Sequence, residues 1–257
     1  MEDALAKIRL HTSSSLLHQK TPATLLLAIE STLKEQNTEP TPTAYFAALL
    51  TALDGILQRK DTSLADGAIL PAELYLLALV APFIPKVVLR THLNTLLSFT
   101  SPLFPLLIPH APPIRSQLSL YHVIFQSLDR SKLETPNIRQ TFASILNLCL
   151  DPRPKVRKKA ADLVKDMLCN PPSPLLLHPY AEMAAEWIKA ALVESNSTPF
   201  SRGKSRQNTG GPESAIYVLT LLGPILPNLP SVVCFDFIDE IQIDLSASLF
   251  PRSPFNS

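Results

Sequence analysis

The sequence DPRPKVRKKAADLV, residues 151–164, contains a dense basic run. Five of the seven positions from Arg153 to Lys159 are lysine or arginine. Such side chains bind the phosphate oxygens of nucleic acids without reading the base sequence, and short basic runs also bind nuclear import receptors. A third interpretation is the solvated side of an ordinary helix. The sequence leaves these three interpretations open.

The apolar residues between the basic ones predict where the charges lie. A stripe at i, i+4, i+7 and i+11 predicts one buried side of a helix, formed by Val156, Ala160, Leu163 and Met167. Steps of about 100° per residue place four lysines on the opposite side, where they and Arg153 are available to RNA or another partner: Lys155, Lys158, Lys159 and Lys165. Asp162 and Asp166 share that side, so the spacing predicts ion pairs that neutralise half of the charge.

Two arginines are predicted to have a structural role. Arg157 lies at the edge of the apolar stripe, six residues after Asp151, and its side chain is long enough to reach back and tie the turn before the helix. Arg115 stands 42 positions before Arg157 in a similar segment. We therefore interpret Asp151, Arg157 and Arg115 as structural positions of a repeat.

No arrangement of residues predicts catalysis or metal binding. The six histidines show no i, i+4 pairing, and the three cysteines have neither disulfide nor zinc-site spacing. A glycine-rich phosphate loop is absent from the sequence, and the acidic residues between Asp236 and Asp244 are interpreted as a solvated face. We expect no catalytic residue, cofactor, metal or small-molecule substrate. An enzyme of unrecognised type stays an alternative that a deep pocket with converging titratable groups would support.

The elements that position these residues are predicted to be helices. Proline occurs 25 times and glycine 6 times, whereas β-hairpins need glycine and helices start readily at proline. The net charge of +1 attracts neither nucleic acid nor an anionic membrane over a distance. The longest apolar run, residues 74–85, is too short to span a bilayer. The composition predicts an all-α protein without a membrane partner.

Proline positions predict the helix boundaries. Thr21-Pro22 and Thr41-Pro42 each combine a capping hydroxyl with proline at the first helical position. Residues 60–68 are predicted to form a loop. Helices resume at 71–83 and 87–108, the latter interrupted by Pro102 and Pro105.

Two later segments repeat with an offset of 42 positions. PPIRSQLSLYHVIFQSL, from Pro112, aligns with PKVRKKAADLVKDMLCN, from Pro154. The apolar stripe of the first segment is Ile114, Leu118, Tyr121 and Phe125. The preceding helices also agree, because three apolar residues stand 42 positions before Ile145, Leu146 and Leu148: Leu103, Phe104 and Leu106. The alternative is a chance alignment of amphipathic helices.

A third helix pair is predicted at 178–193 and 212–226. Its apolar faces are Ala184, Trp187 and Ala191 in the first helix, and Ile216, Leu219 and Leu222 in the second. Helix pairs that repeat every 40–47 residues or so are typical of HEAT and armadillo arrays, in which stacked neighbours bury one another's apolar faces. We predict an all-α, HEAT-like α-solenoid of antiparallel helix pairs with a repeat of about 42 residues.

The predicted domain organisation has four parts. A helical array is expected at residues 1–200 and continuing helices at 212–245. The stretch SRGKSRQNTGG, residues 201–211, has no acidic and no large apolar residue, so it is predicted to be a disordered basic insertion. Residues 246–257 are predicted to form a disordered tail.

The residues also resemble a known family. LDPRPKVRKKAADLV resembles the HEAT signature of a turn aspartate followed by Val-Arg and a small residue. MEDALAKIRLHTSSSLLHQKTPATLLLAIESTLKEQ, TPTAYFAALL and APPIRSQLSLYHVIFQSLD resemble the N-terminal part of the fungal ribosomal RNA-processing protein twelve family. The resemblance runs from Met1 to about Pro230, with an interruption at 201–211, and departs from the HEAT pattern at Pro109, where the first repeat would have its aspartate.

The resemblance implies a non-enzymatic HEAT-repeat scaffold that acts in pre-rRNA processing and in nuclear export of ribosomal subunits. Pre-ribosomal particles and assembly factors are the implied partners, with pre-rRNA and nuclear transport factors as further candidates. The implied location is the nucleus and nucleolus, with shuttling to the cytoplasm. The alternative is a HEAT-type adaptor between proteins in nuclear transport, without direct RNA contact. Salt-sensitive RNA binding favours the scaffold, and salt-tolerant protein binding favours the adaptor.

Overall fold

The computed structural model describes residues 1–197 and 212–230, and that part of the chain is helical without β-strands. It contains thirteen α-helices, which confirm the all-α prediction: α1 (Glu2–Arg9), α2 (Leu17–Glu35), α3 (Pro42–Gln58), α4 (Ile69–Val80), α5 (Lys86–Thr91), α6 (Leu93–Thr100), α7 (Phe104–Leu107), α8 (Ala111–Ser127), α9 (Arg130–Leu133), α10 (Pro136–Leu148), α11 (Pro154–Cys169), α12 (Ala181–Ser197) and α13 (Pro212–Ile225). Short 3₁₀ turns follow α1, α4 and α13 at Leu10–Ser13, Ala81–Phe83 and Leu226–Asn228.

The helices stack as antiparallel pairs. Five of them pack in succession to form one layer, which we term the inner ladder: α2, α4, α8, α11 and α13. The pairs α3 with α4, α10 with α11, and α12 with α13 join this ladder to the second layer. A single continuous cluster of buried apolar residues runs between the layers. The arrangement confirms the predicted HEAT-like solenoid.

The start of α3 is confirmed and the start of α2 is corrected. Thr41 caps α3, because its Oγ1 accepts a hydrogen bond from the Ala44 backbone N–H at 3.2 Å. Helix α2 begins at Leu17, so Pro22 lies inside it. Pro22 costs the helix one backbone hydrogen bond, but its ring is buried in the core. Thr21 instead donates its hydroxyl to the Gly67 carbonyl oxygen at 2.9 Å.

Proline interrupts the predicted helix at 87–108 as expected. The segment is divided into α5, α6 and α7; Pro102 lies just before α7, and Pro105 is its second residue. The predicted loop at 60–68 is confirmed, because α3 ends at Gln58 and α4 begins at Ile69. The break before α7 follows from the missing N–H group of proline, whereas the break between α5 and α6 at His92 contains no proline.

The repeat of α8 and α11 is confirmed in the core. Both predicted stripes are buried: Ile114, Leu118, Tyr121 and Phe125 in α8, and Val156, Ala160, Leu163 and Met167 in α11. The preceding helices agree only in part. Leu103 and Phe104 are buried like their counterparts in α10, but Leu106 is 52% exposed. Helix α7 has only four residues, one of which is Pro105, so it does not keep the phase of the longer α10.

The third pair has the predicted helices but a different apolar face on α13. In α12, Ala184 and Ala191 are buried, and the half-buried Trp187 donates its indole N–H to Asn147 Oδ1 at 3.0 Å. In α13, Ile216 and Leu219 are 60% and 49% exposed, whereas Val218, Leu221 and Ile225 are buried. The predicted stripe was wrong because α13 is apolar on several sides, so that its contacts with α11 and α12 decided the orientation.

Part of the predicted domain organisation lies outside the described residues. The basic insertion at 201–211 and the tail at 246–257 fall there, and the continuing helices at 212–245 are described only as far as residue 230. In residues 1–197 and 212–230, no helix combines the length and apolar character that crossing a membrane requires.

Candidate interaction surface on helix α11

The turn before α11 is built on the buried carboxylate of Asp151, which is 8% exposed. Arg153 Nε donates to Asp151 Oδ1 at 2.8 Å and Arg153 Nη2 donates to Oδ2 at 2.6 Å. The Arg153 backbone N–H also donates to Oδ1 at 2.8 Å, and its Nη2 reaches the Ile108 carbonyl oxygen at 2.5 Å. Arg153 therefore holds the turn together, and the expectation that its charge is available to a partner was wrong.

The Asp151 carboxylate is stabilised in its charged form. Burial raises the pKa of this carboxyl, but the side-chain and backbone hydrogen bonds from Arg153, together with the charges of Arg153 and Arg157, outweigh burial and leave the pKa below its usual value. A buried charge that is paired and hydrogen-bonded in this way is stable in the fold. The Asp151 carboxylate thus forms an ion pair with one arginine of the basic run, Arg153, and is further stabilised by the charge of Arg157.

Arg157 ties the same turn to the next helix of the ladder. Its Nη1 donates to the Asp151 carbonyl oxygen at 2.8 Å, so it reaches back across the turn as the sequence predicted, although to the backbone and not to the carboxylate. The guanidinium carbon also lies 3.6 Å from the centre of the Tyr217 ring on α13, in a cation–π contact. Arg157 is a structural residue between two neighbouring helices.

Four lysines project from the other side of α11, and we term them the lysine ridge. The three exposed ones are Lys155, Lys158 and Lys165, and the half-buried one is Lys159. Within the described residues, none of the four forms an ion pair. The predicted ion pairs with Asp162 and Asp166 are absent. An exposed ion pair on a helix stabilises the fold by only about 0.3–0.5 kcal/mol, so little favours its formation.

Asp166 is instead turned toward α8. His122 Nε2 lies 2.8 Å from Asp166 Oδ2, Gln126 donates its amide N–H to the same oxygen, and Asn170 donates to Oδ1 at 3.0 Å. Burial raises the Asp166 pKa, but the hydrogen bonds from His122 and Gln126 outweigh it and lower the pKa overall. The acid that was expected to neutralise lysines thus joins two ladder helices, which leaves Asp162 as the acid beside the ridge.

Arg115 occupies the position on α8 that Arg157 occupies on α11, but it makes different contacts. Its Nε donates to the Ala111 carbonyl oxygen in the preceding turn at 3.2 Å. Pro109 stands 42 positions before Asp151, so α8 has no turn carboxylate of this kind. The Arg115 guanidinium lies at the edge of an open cleft on the ladder, which sequence periodicity did not predict.

The described residues contain no cluster of histidine, cysteine, aspartate and glutamate that could hold a metal ion. Cys149 is buried, and burial raises the pKa of its thiol. Cys169 is half-buried and donates its thiol to the Pro224 carbonyl oxygen at 3.6 Å. Sequence reasoning missed Glu73, whose carboxylate is fully buried in α4 without a hydrogen-bond partner in this part of the chain.

Comparison with known proteins identifies the family. The model of RRP12-like, N-terminal HEAT repeats matches residues 3–246. The chain belongs to this family. The match confirms both the HEAT architecture and the resemblance that the sequence showed.

Two relatives of this RRP12-like chain indicate its place in longer proteins. It is 31% identical over 204 residues to the protein named Ribosomal RNA-processing protein 12 of Saccharomyces cerevisiae, covering 75% of this chain and 16% of that protein. It is 26% identical over 240 residues to an RRP12-like protein of Gallus gallus, covering 88% of this chain and 16% of that protein. The chain therefore spans about a sixth of the curated relatives that it matches. No solved structure matches it.

Proposed function

We propose that this RRP12-like chain is a non-enzymatic HEAT-repeat scaffold in ribosome biogenesis. The observation that carries the proposal is the family match over residues 3–246, together with the yeast relative named for ribosomal RNA processing. In this proposal the solenoid binds pre-ribosomal particles and assembly factors and takes part in pre-rRNA processing and in nuclear export of ribosomal subunits. It acts in the nucleus and nucleolus and shuttles to the cytoplasm.

The lysine ridge is the proposed contact with pre-rRNA. Lys155, Lys158, Lys159 and Lys165 extend over about 15 Å of helix axis at 1.5 Å per residue, and no ion pair within residues 1–197 and 212–230 neutralises them. The buried opposite side of α11 fixes the direction of the ridge. Because the net charge of the chain is only +1, binding to RNA depends on this local concentration of charge.

Binding through lysines has a defined salt dependence. Each phosphate contact releases condensed counterions, which for a single strand gives a slope of about −0.7 in log affinity against log salt. Four lysines predict a slope of about −3. Contacts of this kind position the protein on RNA without base specificity.

The test compares two charge-matched triple variants. In the first, Lys155, Lys158 and Lys159 are changed to Glu; in the second, the exposed Lys34, Lys86 and Lys132 on other helices are changed to Glu. Circular dichroism shows whether each variant folds. Binding of a fluorescent polyuridine oligonucleotide is measured over a range of salt, and each protein is used to purify particles from nuclear extract.

The proposal expects the ridge variant alone to lose pre-ribosomal RNA and assembly factors, and its salt slope to fall by about 2. Equal recovery by both variants would place RNA contact elsewhere on the scaffold. Salt-tolerant capture of a nuclear transport protein, without RNA binding, would favour the adaptor function. Failure of the folded wild type to recover pre-ribosomal particles contradicts the proposal for this chain.

A further inference from the structure

Within residues 1–197 and 212–230, no element covers one side of helix α4. Of its residues ILPAELYLLALV, only Glu73 and Tyr75 carry polar side-chain atoms. A helix that is apolar on all sides is ordinarily buried on all sides. In α4, however, Tyr75 is 42% exposed, and Ala78 and Leu79 beside it are only half-buried. This stripe is an apolar surface for which the described residues provide no cover.

The uncovered stripe forms the floor of an open cleft of about 890 Å³. One wall consists of the 3₁₀ turn after α1, which contains His11, and the start of α2, which contains Pro22. The other wall is α8, with Pro112, Arg115 and Ser119. A second hollow of about 440 Å³ shares Tyr75 and Leu79 with the cleft and extends to Phe83, which is 47% exposed. The two hollows follow α4 and the 3₁₀ turn after it from Pro71 to Phe83, about 18 Å at 1.5 Å per residue.

The α8 wall carries a positive charge without a counter-ion. Arg115 donates its Nε to the Ala111 carbonyl oxygen, and it makes no ion pair within the part of the chain that the structure describes. Asp66, the acid in the lining of the larger cleft, lies 3.6 Å from His18 on the opposite rim. The hollow beside α1 includes Asp3 and Lys7, whose charges balance. The α8 rim therefore favours an anionic group on an occupant.

We propose that this cleft is a docking site for an amphipathic helix of a partner protein that has acidic residues beside its apolar stripe. Apolar side chains at i, i+4 and i+7 would cover Tyr75 and Leu79, and a glutamate or aspartate would form a bidentate pair with Arg115. A cleft of about 18 Å accommodates about three turns of helix, and docking a helix in an apolar groove is a common mode of peptide recognition.

The docking site is separate from the lysine ridge and selects a different partner. The ridge favours phosphates, whereas the cleft combines an apolar floor with a single cationic rim. The inference goes beyond the proposed role in ribosome biogenesis and does not rest on it. A protein that failed to bind pre-ribosomes could still bind such a helix.

The probe is a phage-displayed library of random peptides long enough for three to four helical turns, selected on the full chain. Enriched peptides are synthesised with a fluorophore, and their affinity is measured by anisotropy for the wild type, Tyr75→Ser, Arg115→Glu and the control Lys158→Glu. Circular dichroism confirms that each variant folds, which the exposure of Tyr75 favours.

The expected result is enrichment of peptides with apolar residues at helical spacing and flanking acids. Their affinity should fall at least about tenfold in Tyr75→Ser and Arg115→Glu, as expected for central contacts of an interface, and stay unchanged in Lys158→Glu. Absence of enrichment, selection of basic peptides, or equal affinity for folded Arg115→Glu overturns the proposal. A concentration-dependent dimer that Tyr75→Ser abolishes also overturns it, because the occupant is then a second copy of this chain.

Discussion

The guanidinium of Arg157 lies over the ring of Tyr217, with its central carbon 3.6 Å from the ring centre. The same guanidinium donates to the carbonyl oxygen of Asp151 at 2.8 Å. One side chain thus joins the turn before α11 to α13, which follows much later in the sequence. This link is a specific contact between successive helices of the ladder.

Replacing Arg157 with Ala should lower the free energy of unfolding by about 1–3 kcal/mol, because both the carbonyl hydrogen bond and the cation–π contact are lost. Tyr217→Phe should keep most of the stability and Tyr217→Leu should lose about 0.5–1 kcal/mol. Urea unfolding measures all three. Lys158→Ala, on the same helix but without an ion pair, should change stability by less than about 0.5 kcal/mol. Equal effects at 157 and 158 would contradict the structural role of Arg157.

Asp151 should make the free energy of unfolding depend on pH in the acidic range. Its folded pKa lies below the unfolded value of 3.8, so its contribution is present above that value and is lost as the pH falls through the folded pKa. Asp151→Asn should cost about 1–3 kcal/mol at pH 7, since Arg153 loses its partner. Urea unfolding at several acidic pH values gives the difference in the free energy of unfolding between wild type and variant. This difference should shrink as the pH falls. A difference that stays constant would show that the carboxylate charge has no part in it.

Glu73 should have the opposite effect. Burial raises its pKa to about 8 from 4.5, so the folded state binds more protons than the unfolded state between these values. Stability from this residue is therefore greatest below about pH 4.5 and falls as the pH rises to about 8, by a few kcal/mol at about 1.4 kcal/mol per pKa unit.

The change Glu73→Met, which keeps the length and removes the charge, should stabilise the protein at pH 8 and have a smaller effect at pH 5. Unfolding of both proteins in urea over this range gives the difference directly. A wild type that is no more sensitive to alkaline pH than Glu73→Met would mean that an ordered water or a relaxed side chain solvates the carboxylate.

Position 67 requires glycine both because of its backbone conformation and because Leu17 leaves no room for a side chain. Its φ is +79°, and a Cβ at this position would lie 2.7 Å from the Leu17 Cβ. Gly67→Ala should lower the free energy of unfolding by about 1–3 kcal/mol. Gly55→Ala is the control, since Gly55 lies within α3 and its Cβ would meet only the Arg59 side chain at 3.7 Å. This control should be stabilising by about 0.5–1 kcal/mol. An unchanged stability in Gly67→Ala would contradict the requirement for glycine at position 67.

The sequence determined the features that depend on neighbours along the chain. Proline and glycine usage indicated helices, Thr41 indicated the start of α3, and the stripes from Ile114 and from Val156 gave the buried sides of α8 and α11. These features were predictable because helix periodicity and capping act over a few residues. The 42-residue offset extended the same information to the stacking of helix pairs.

Only the tertiary structure decided which long-range contacts form. It placed Pro22 inside α2 and in the core, brought Arg153 to the Ile108 carbonyl oxygen, and turned Asp166 from the lysines to His122. It also selected the buried side of α13 and, within the described part of the chain, left the stripe around Tyr75 exposed. Each of these outcomes depends on a partner that is distant in sequence, and periodicity carries no information about which neighbouring helix, carboxylate or cleft a side chain meets.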